Sequence, residues 1–500
     1  MIDPIAVTTA GPVRGVSEGG VSRFLGVPYA ASPLGQRRLA APQPREQWKG
    51  VRDATRMGPN APHTLRLFEA LDVAPLVGSG WVQGDDFLNV NIWTPDPGPS
   101  EARPAGLPVM VFIHGGAFVA GSNHAAVQDG TAFARSGVVC ITINYRMGVE
   151  GFLPIPGAPT NLGLRDMLAA LAWVRDNADA FGGDPGNVTV FGESAGAMAV
   201  ADLLASPLAK GLFHRAIIQS GHGSMVRPVA LAQRLTRKIA KLLNTTPNLA
   251  GFLARTVQEC LEAVEKVQQP TTRIDLRNAE KRDPAFGLSK FLPVYGDDIL
   301  PLHPLLALAQ GAGSEVEVLI GANAEEMNLY FAPTGALDKI PGFMAWLILR
   351  GSEPRAMRML KAYGMGKARK PGEALTHAMH DLVFRLPARA FAAAHRGRTH
   401  VYEFEWRSPA IGGRLGACHA LEIPFVFKTL DCCDGPSGIV GENPPQPLAD
   451  RIHQIWVDFA RSGALAWPEY DAETRQVYHL EAGLAVRDPA MPAERYLASA

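Results

Sequence analysis

Short apolar runs rich in β-branched residues recur along the chain: VMVFI at 109–113, VVCITI at 138–143, VTVF at 188–191, AIIQ at 216–219, VEVLI at 316–320 and VYEFEW at 401–406. Continuous apolar runs of this length predict strands buried on both faces. Helical patterns lie between several of them. In NLGLRDMLAALAWVRDNADAF, Leu164, Met167, Leu168, Leu171 and Val174 recur at i, i+3, i+4, i+7 spacing and predict one buried helical stripe. Strands alternating with helices predict an α/β fold, with a mostly parallel central sheet and helices on both faces. The segment GPVRGVSEGGVSRFLGVPYA at 11–30 predicts antiparallel hairpins joining the edge of that sheet. Two regions interrupt the rhythm, about 225–290 and 330–398. Both are rich in Ala, Leu, Arg and Lys and are expected to be mostly helical insertions above the sheet. The expectation is a single elaborated domain over 1–500.

Composition narrows the class. Of 500 residues, 47% are hydrophobic and 19% charged, enough for a large core. Lys plus Arg and Asp plus Glu both number 48, so the net charge is zero. That balance favours no nucleic-acid partner and no acidic membrane surface, which usually leave a basic excess. The start MIDPIAVTTAGPVRG lacks a basic region followed by an apolar one, and no apolar run reaches the roughly 18 residues of a membrane span. A cytoplasmic protein is expected. The five cysteines, Cys140, Cys260, Cys418, Cys432 and Cys433, are odd in number and form no C-x-x-C pair, so free thiols are expected.

Around Ser194 the chain reads G-E-S-A-G, directly after the run VTVF and before a helical pattern. This is the pattern of a nucleophile elbow, in which a sharp strand-to-helix turn lifts a serine above the sheet. Gly192 and Gly196 fit because a Cβ at either position would collide with the neighbouring element. A helix N-cap serine is the bland alternative. The run VMVFI ends in His114-Gly115-Gly116-Ala117, a loop whose glycines let backbone N–H groups approach a carbonyl oxygen. The candidate oxyanion hole is Gly116 and Ala117, with Gly115 shaping the loop, and Ala195 after the nucleophile. His114 is expected to orient this loop rather than react.

Further blocks carry a resemblance. FLGVPYAASPLGQRRLAAP, DDFLNVNIWTP, NYRMGVEGFL, FGGDPGNVTVFGESAG, FHRAIIQSG and WVDFARSG…WPEY follow one another in an order that resembles the type B carboxylesterases over nearly the whole chain. The resemblance implies an α/β-hydrolase fold and a Ser-His-Glu triad. LIGANAEEMNLYF is similar to the block holding the triad acid, which places it at Glu326. GACHALEIPFVF is similar to the block holding the triad histidine, which places it at His419. Without the resemblance His419 could not be chosen among 13 histidines, nor Glu326 over Glu325. The implied activity is carboxylic-ester hydrolysis through an acyl-enzyme on small to medium apolar esters. No metal and no organic cofactor is implied.

The chain departs from the family pattern in places. Phe87 stands where many members carry a disulfide cysteine, Glu325 replaces an aspartate, Met327 a glycine, Ala199 a small polar residue and Met167 a glutamine. Arg38 and Asp85 match a structural ion pair, so contact between them is expected. Glu193 reads as a hydrogen-bonded structural carboxylate, with orientation of polar groups or water at the site as the alternative. His377 and His380, spaced i, i+3, read as solvated helix histidines rather than metal ligands. Trp81 reads as packing.

Two other functions stay open: hydrolysis of carbamates, amides or lactones by the same triad, and a non-catalytic binding protein on this fold. The intact Ser194, Glu326 and His419 speak against the second. Whether the chain is a monomer or a homodimer is left open.

Overall fold

The computed structural model describes residues 3–65, 68–95, 97–98, 106–269 and 271–497. The expected domain limits 1 and 500, and position 270 in the first insertion, lie outside them. Among the described residues the large sheet has strands β1 (Val16–Glu18), β2 (Val21–Pro28), β3 (Asn89–Thr94), β4 (Leu107–Ile113), β5 (Val139–Ile143), β6 (Gly183–Glu193), β7 (Arg215–Gln219), β8 (Glu317–Asn323), β9 (Thr399–Phe404), β10 (Gln476–His479) and β11 (Leu484–Arg487). Their spatial order is β11-β10-β9-β8-β7-β6-β4-β5-β3-β2-β1. From β10 to β5 every neighbouring pair is parallel, and the outer pairs are antiparallel. All six strands predicted from apolar runs are present. This is the α/β-hydrolase fold.

The runs are continuously apolar because each strand feeds two cores. Successive side chains of a strand point to opposite faces. Val109, Val111 and Ile113 of β4 enter one core, while Met110 and Phe112 enter the other. Helix α1 (Leu162–Asn177) covers the first face with Leu164, Met167, Leu171 and Val174. Leu168, predicted on the same stripe, is only half-buried. Helix α2 (Ala195–Ala205) packs on that face too, and α3 (Gln446–Ser462) covers the opposite one through Ile452, Trp456 and Phe459.

The N-terminal prediction divides in two. β1 and β2 form an edge hairpin whose two-residue turn, Gly19-Gly20, has φ of 58° and 79°. Both positions of such a turn need positive φ, which glycine adopts without strain. Gly11–Arg14, however, pairs with Ile5–Thr8 and Arg52–Asp53 in a separate small sheet.

In the region 225–290 the helices Val229–Leu242, Leu249–Leu253 and Val257–Gln268 are present, but 271–293 has no regular helix. Side chains there divert the backbone: Asp275 accepts from Arg277 N–H, Asn278 from Arg282 N–H and Asp283 from Ala285 N–H. The region 330–398 is helical over Gly342–Arg350, Ala356–Ala362, Pro371–His380 and Leu386–Ala394, with a π-turn at Asp381–Arg385. Pro387 cannot donate to the Val383 carbonyl four residues back, and His222 Nε2–H donates to that carbonyl instead at 2.7 Å.

The expected Arg38–Asp85 pair is not formed. Arg38 binds Glu150 at 2.7 Å, with both side chains 10% exposed. Asp85 is exposed and has no ion pair among the described residues; its neighbour Asp86 turns inward to Arg45 and Arg52, at 2.8 Å each. Asp86 faces inward because it precedes the buried Phe87, while the two carboxylate oxygens of Glu150 occupy Arg38. All five cysteines are free, and the Sγ atoms of Cys432 and Cys433 lie 3.6 Å apart. No helix among the described residues is long and apolar enough to cross a membrane.

Candidate active site

Strand register collects the site at one edge of the sheet. Ile113 pairs with Gly192, Glu193 with Gln219, and Gln219 with Gly321, so the loops after β4, β6 and β8 emerge side by side. Ligand sites of open α/β sheets form beyond the carboxyl ends of the strands. β6 ends at Glu193 and α2 begins at Ala195, leaving Ser194 between them at φ 56° and ψ −123°. A residue with a Cβ is strained there by roughly 1–3 kcal/mol. Two hydrogen bonds hold it: Ser194 N–H donates to Gln219 O at 3.0 Å, and Ser194 O accepts from Met198 N–H at 2.9 Å. A Cβ at Gly192 would sit 2.7 Å from the Gly196 carbonyl carbon, and one at Gly196 would strike the Ile113 carbonyl. Both glycines are therefore dictated by the turn.

His419 lies on the loop beyond β9, and Glu326 on the loop after β8. Ser194 Oγ is 2.8 Å from His419 Nε2, and His419 Nδ1 is 2.6 Å from Glu326 Oε2. Glu326 is fully buried; its second oxygen accepts from Asn323 N–H at 2.8 Å, and its carbonyl accepts from His419 N–H at 3.1 Å. With Nδ1–H donating to the carboxylate, a neutral ring leaves Nε2 able to accept a hydrogen bond from Ser194 Oγ–H.

The loop His114–Ala117 packs against the elbow. A Cβ on Gly115 would lie 2.7 Å from Glu193 Oε2, and one on Gly116, at φ 111°, would strike the Ala120 carbonyl. Tyr145 Oη–H donates to His114 O at 2.7 Å and Ser289 Oγ–H to Ala117 O at 2.8 Å, which anchors the loop from both ends. The His114 ring stacks on Tyr145, and burial pushes its pKa down to about 3, so it stays neutral. Among the described residues, the N–H groups of Gly116, Ala117 and Ala195 donate to no protein acceptor. Gly115, Gly116, Ala117, Ser194, Ala195 and His419 all line one cavity of about 1220 Å³.

Glu193 stands beside the histidine rather than in a structural hydrogen-bond network. Its Oε1 lies 3.1 Å from His419 Nε2 and has no hydrogen-bond donor, so it is not the satisfied structural carboxylate expected. Burial, and secondarily Glu422 and Glu326, push its pKa up to about 8, although His419 pulls it down. Burial alone would lower the pKa of His419; Glu193 and Glu326 outweigh that and raise it to about 9. Both groups favour holding a proton, and one proton on the pair lowers the demand of the other for a second.

Four more residues were not singled out. Asn323 Nδ2–H donates to Cys418 O at 2.7 Å and to Glu422 Oε2 at 2.6 Å. Gln219 donates to Glu422 Oε1 at 3.1 Å and accepts from Trp456 Nε1–H at 3.1 Å. This chain ties β7, β8 and α3 to the loop carrying His419. The visible signal was a polar residue closing each apolar strand, Gln219 on β7 and Asn323 on β8.

Two of the departures from the family pattern, Glu325 and Met327, flank Glu326. Glu325 accepts from Ala417 N–H at 3.0 Å and pairs with Arg407, joining the two loops. Met327 N–H donates to His380 Nδ1 at 3.0 Å. His380 is thus buried, not solvated as expected, because its helix face turns towards the acid loop; His377 is half-buried beside it. Phe384 packs on the His419 ring at 4.8 Å. Trp81 is half-buried and is not among the residues lining the cavity.

Residues 2–494 match the model of the carboxylesterase family. The chain is 37% identical to the para-nitrobenzyl esterase of Bacillus subtilis, over 98% of this chain and 97% of that one. It is 33% identical to the phenmedipham hydrolase of Pseudarthrobacter oxydans, over 98% of each. A solved PNB esterase structure superposes with a TM-score of 0.82 at 34% identity, covering 97% of this chain and 98% of the other. The chain belongs to the carboxylesterase family. It is a serine carboxylic-ester hydrolase.

Proposed function

We propose that Ser194 is the nucleophile, His419 the general base and then acid, and Glu326 the group that orients the imidazole and stabilises its charged form. The observation carrying this reading is the continuous bridge from Ser194 Oγ through His419 to Glu326, at 2.8 Å and 2.6 Å. As Ser194 Oγ attacks the ester carbonyl, its proton passes to His419 Nε2. The carbonyl oxygen becomes an oxyanion and takes hydrogen bonds from Gly116, Ala117 and Ala195 N–H, on a loop shaped by Gly115. The positive end of α2 adds to that stabilisation. His419 returns the proton to the leaving alcohol. Water, deprotonated by the same nitrogen, then releases the acid and Ser194.

The substrate is a small to medium apolar ester. Phe112, Phe118, Met198, Met225, Leu329 and Phe384 line the cavity, whose volume exceeds the roughly 300–1,000 Å³ of a drug-sized site. The whole chain acts as one domain, with the regions 225–290 and 330–398 as insertions that contribute to the cavity wall. All named site residues come from one copy, so a monomer or a homodimer serves equally. The free thiols fit a cytoplasmic setting, and the zero net charge fits a protein with no nucleic-acid partner. Stopped-flow hydrolysis of para-nitrophenyl acetate, butyrate and octanoate tests the reading. A burst of nitrophenol matching the enzyme concentration is expected, lost in Ser194→Ala. Equal turnover by Ser194→Ala would overturn it.

A further inference from the structure

The helix Gly342–Arg350 (GFMAWLILR) is apolar nearly throughout, yet only one side of it is covered. Ala345 and Leu349 are buried, which fixes it on the insertion. Phe343, Met344, Leu347 and Ile348 remain 67%, 43%, 48% and 37% exposed. Scattered exposed apolar residues are ordinary, but four on one short helix face are not. The next helix, Ala356–Ala362, touches it and likewise buries Ala356, Met359 and Leu360 while exposing Met357, Arg358 and Lys361.

The charge around this face is one-sided. Between 338 and 370 there are eight Lys and Arg against two Asp and Glu, in a chain whose total charge is zero. Both acids are occupied: Glu353 is buried against Arg282, and Asp338 holds Lys370 and Arg414. Lys339, Arg350, Arg358, Lys361 and Lys367 have no acidic partner among the described residues. The neutral total, read from the sequence as favouring no acidic membrane surface, conceals this local excess.

An apolar face carrying Phe and Leu and flanked by unpaired cations is the composition of an element lying in a lipid interface. Ile348, Gly351 and Ser352 also line the active-site cavity, so this face borders the place where the cavity meets solvent. We propose that the helix Gly342–Arg350, with the cations flanking it, docks on an anionic bilayer surface. Its apolar side chains enter the headgroup–acyl boundary, and the cations meet the lipid phosphates. Apolar esters dissolved in the bilayer would then lie beside the cavity. The docking itself does not depend on the assignment of the catalytic groups.

Co-sedimentation of the full chain with phosphatidylglycerol/phosphatidylcholine vesicles, against pure phosphatidylcholine vesicles, tests the proposal. Binding to the anionic vesicles is expected, together with a marked loss on raising salt from about 0.1 M to about 1 M, which shortens the screening length from about 10 Å to about 3 Å. Phe343→Glu with Leu347→Glu, and separately Arg358→Glu with Lys361→Glu, should each weaken binding tenfold or more, since each cation near such a surface is worth about fivefold. None of these four side chains lines the cavity, so both variants should hydrolyse para-nitrophenyl acetate as the parent does, which verifies folding. Failure to bind anionic vesicles, or binding indifferent to both pairs, would overturn the proposal. So would a homodimer that dissociates in the Phe343/Leu347 variant while no vesicles bind, because the face would then belong to a second copy.

Discussion

The two nitrogens of the His419 ring face differently built surroundings. On the Nδ1 side, Glu326 has both oxygens engaged, and Asn323, Glu422, Gln219 and Trp456 extend the hydrogen bonding into β7, β8 and α3. On the Nε2 side stand Ser194 Oγ and Glu193 Oε1, the latter without a donor, beside the cavity. Buried carboxylates with both oxygens hydrogen-bonded, as in Glu326 and Glu422, rigidify their surroundings, whereas one left without a donor, as in Glu193, is costly. The Nδ1 side fixes the ring. The Nε2 side is where a proton can change hands.

Variants on each side should separate these roles. Glu326→Gln keeps the shape but replaces the acceptor at Nδ1 with an amide; kcat for para-nitrophenyl butyrate should fall by about 10⁴-fold with little change in KM. A loss below tenfold would mean the ring is held by something else. Asn323→Ala leaves buried Glu422 without one of its donors. Thermal or urea unfolding should show a loss of about 2 kcal/mol.

Glu193→Gln acts on the other side. The general base works only as neutral imidazole, so kcat/KM rises with pH as His419 loses its proton. Because Glu193 is the largest influence raising the His419 pKa to about 9, its removal should move this acid limb to lower pH, by about one unit. An unmoved limb would show that Glu193 does not address the ring. Trp456→Phe, which removes the Nε1–H donor to Gln219 and part of a fully buried ring, should cost about 2 kcal/mol in unfolding and leave the limb where it is.

The elbow, and the glycine loop proposed as the oxyanion hole, were legible as turns because their geometry is local. A strand run, a glycine-flanked serine and an HGG turn each specify backbone within a few residues. The partnership of Ser194 with His419 was legible only by resemblance, since 225 residues of chain separate them and strand register brings them together. The fold followed from the apolar runs, whose two-sided burial is visible in composition. Boundaries and faces were harder. A spacing of i, i+3 could not tell that His380 turns inward, and an Ala- and Lys-rich composition hid the side-chain-directed turns after Gln268. Arg38 reaches Glu150 rather than Asp85, a contact between distant parts of the chain that no local pattern records. Gln219 and Asn323 were visible as polar ends of apolar strands, but their meaning depends on Glu422, far along the chain.

The most direct measurement is to react the protein with a fluorophosphonate and locate the adduct by peptide mass spectrometry. The account predicts one equivalent, attached to Ser194, with labelling slowed by Glu326→Gln. Stoichiometric labelling at another residue, with Ser194 unmodified and activity abolished, would contradict it.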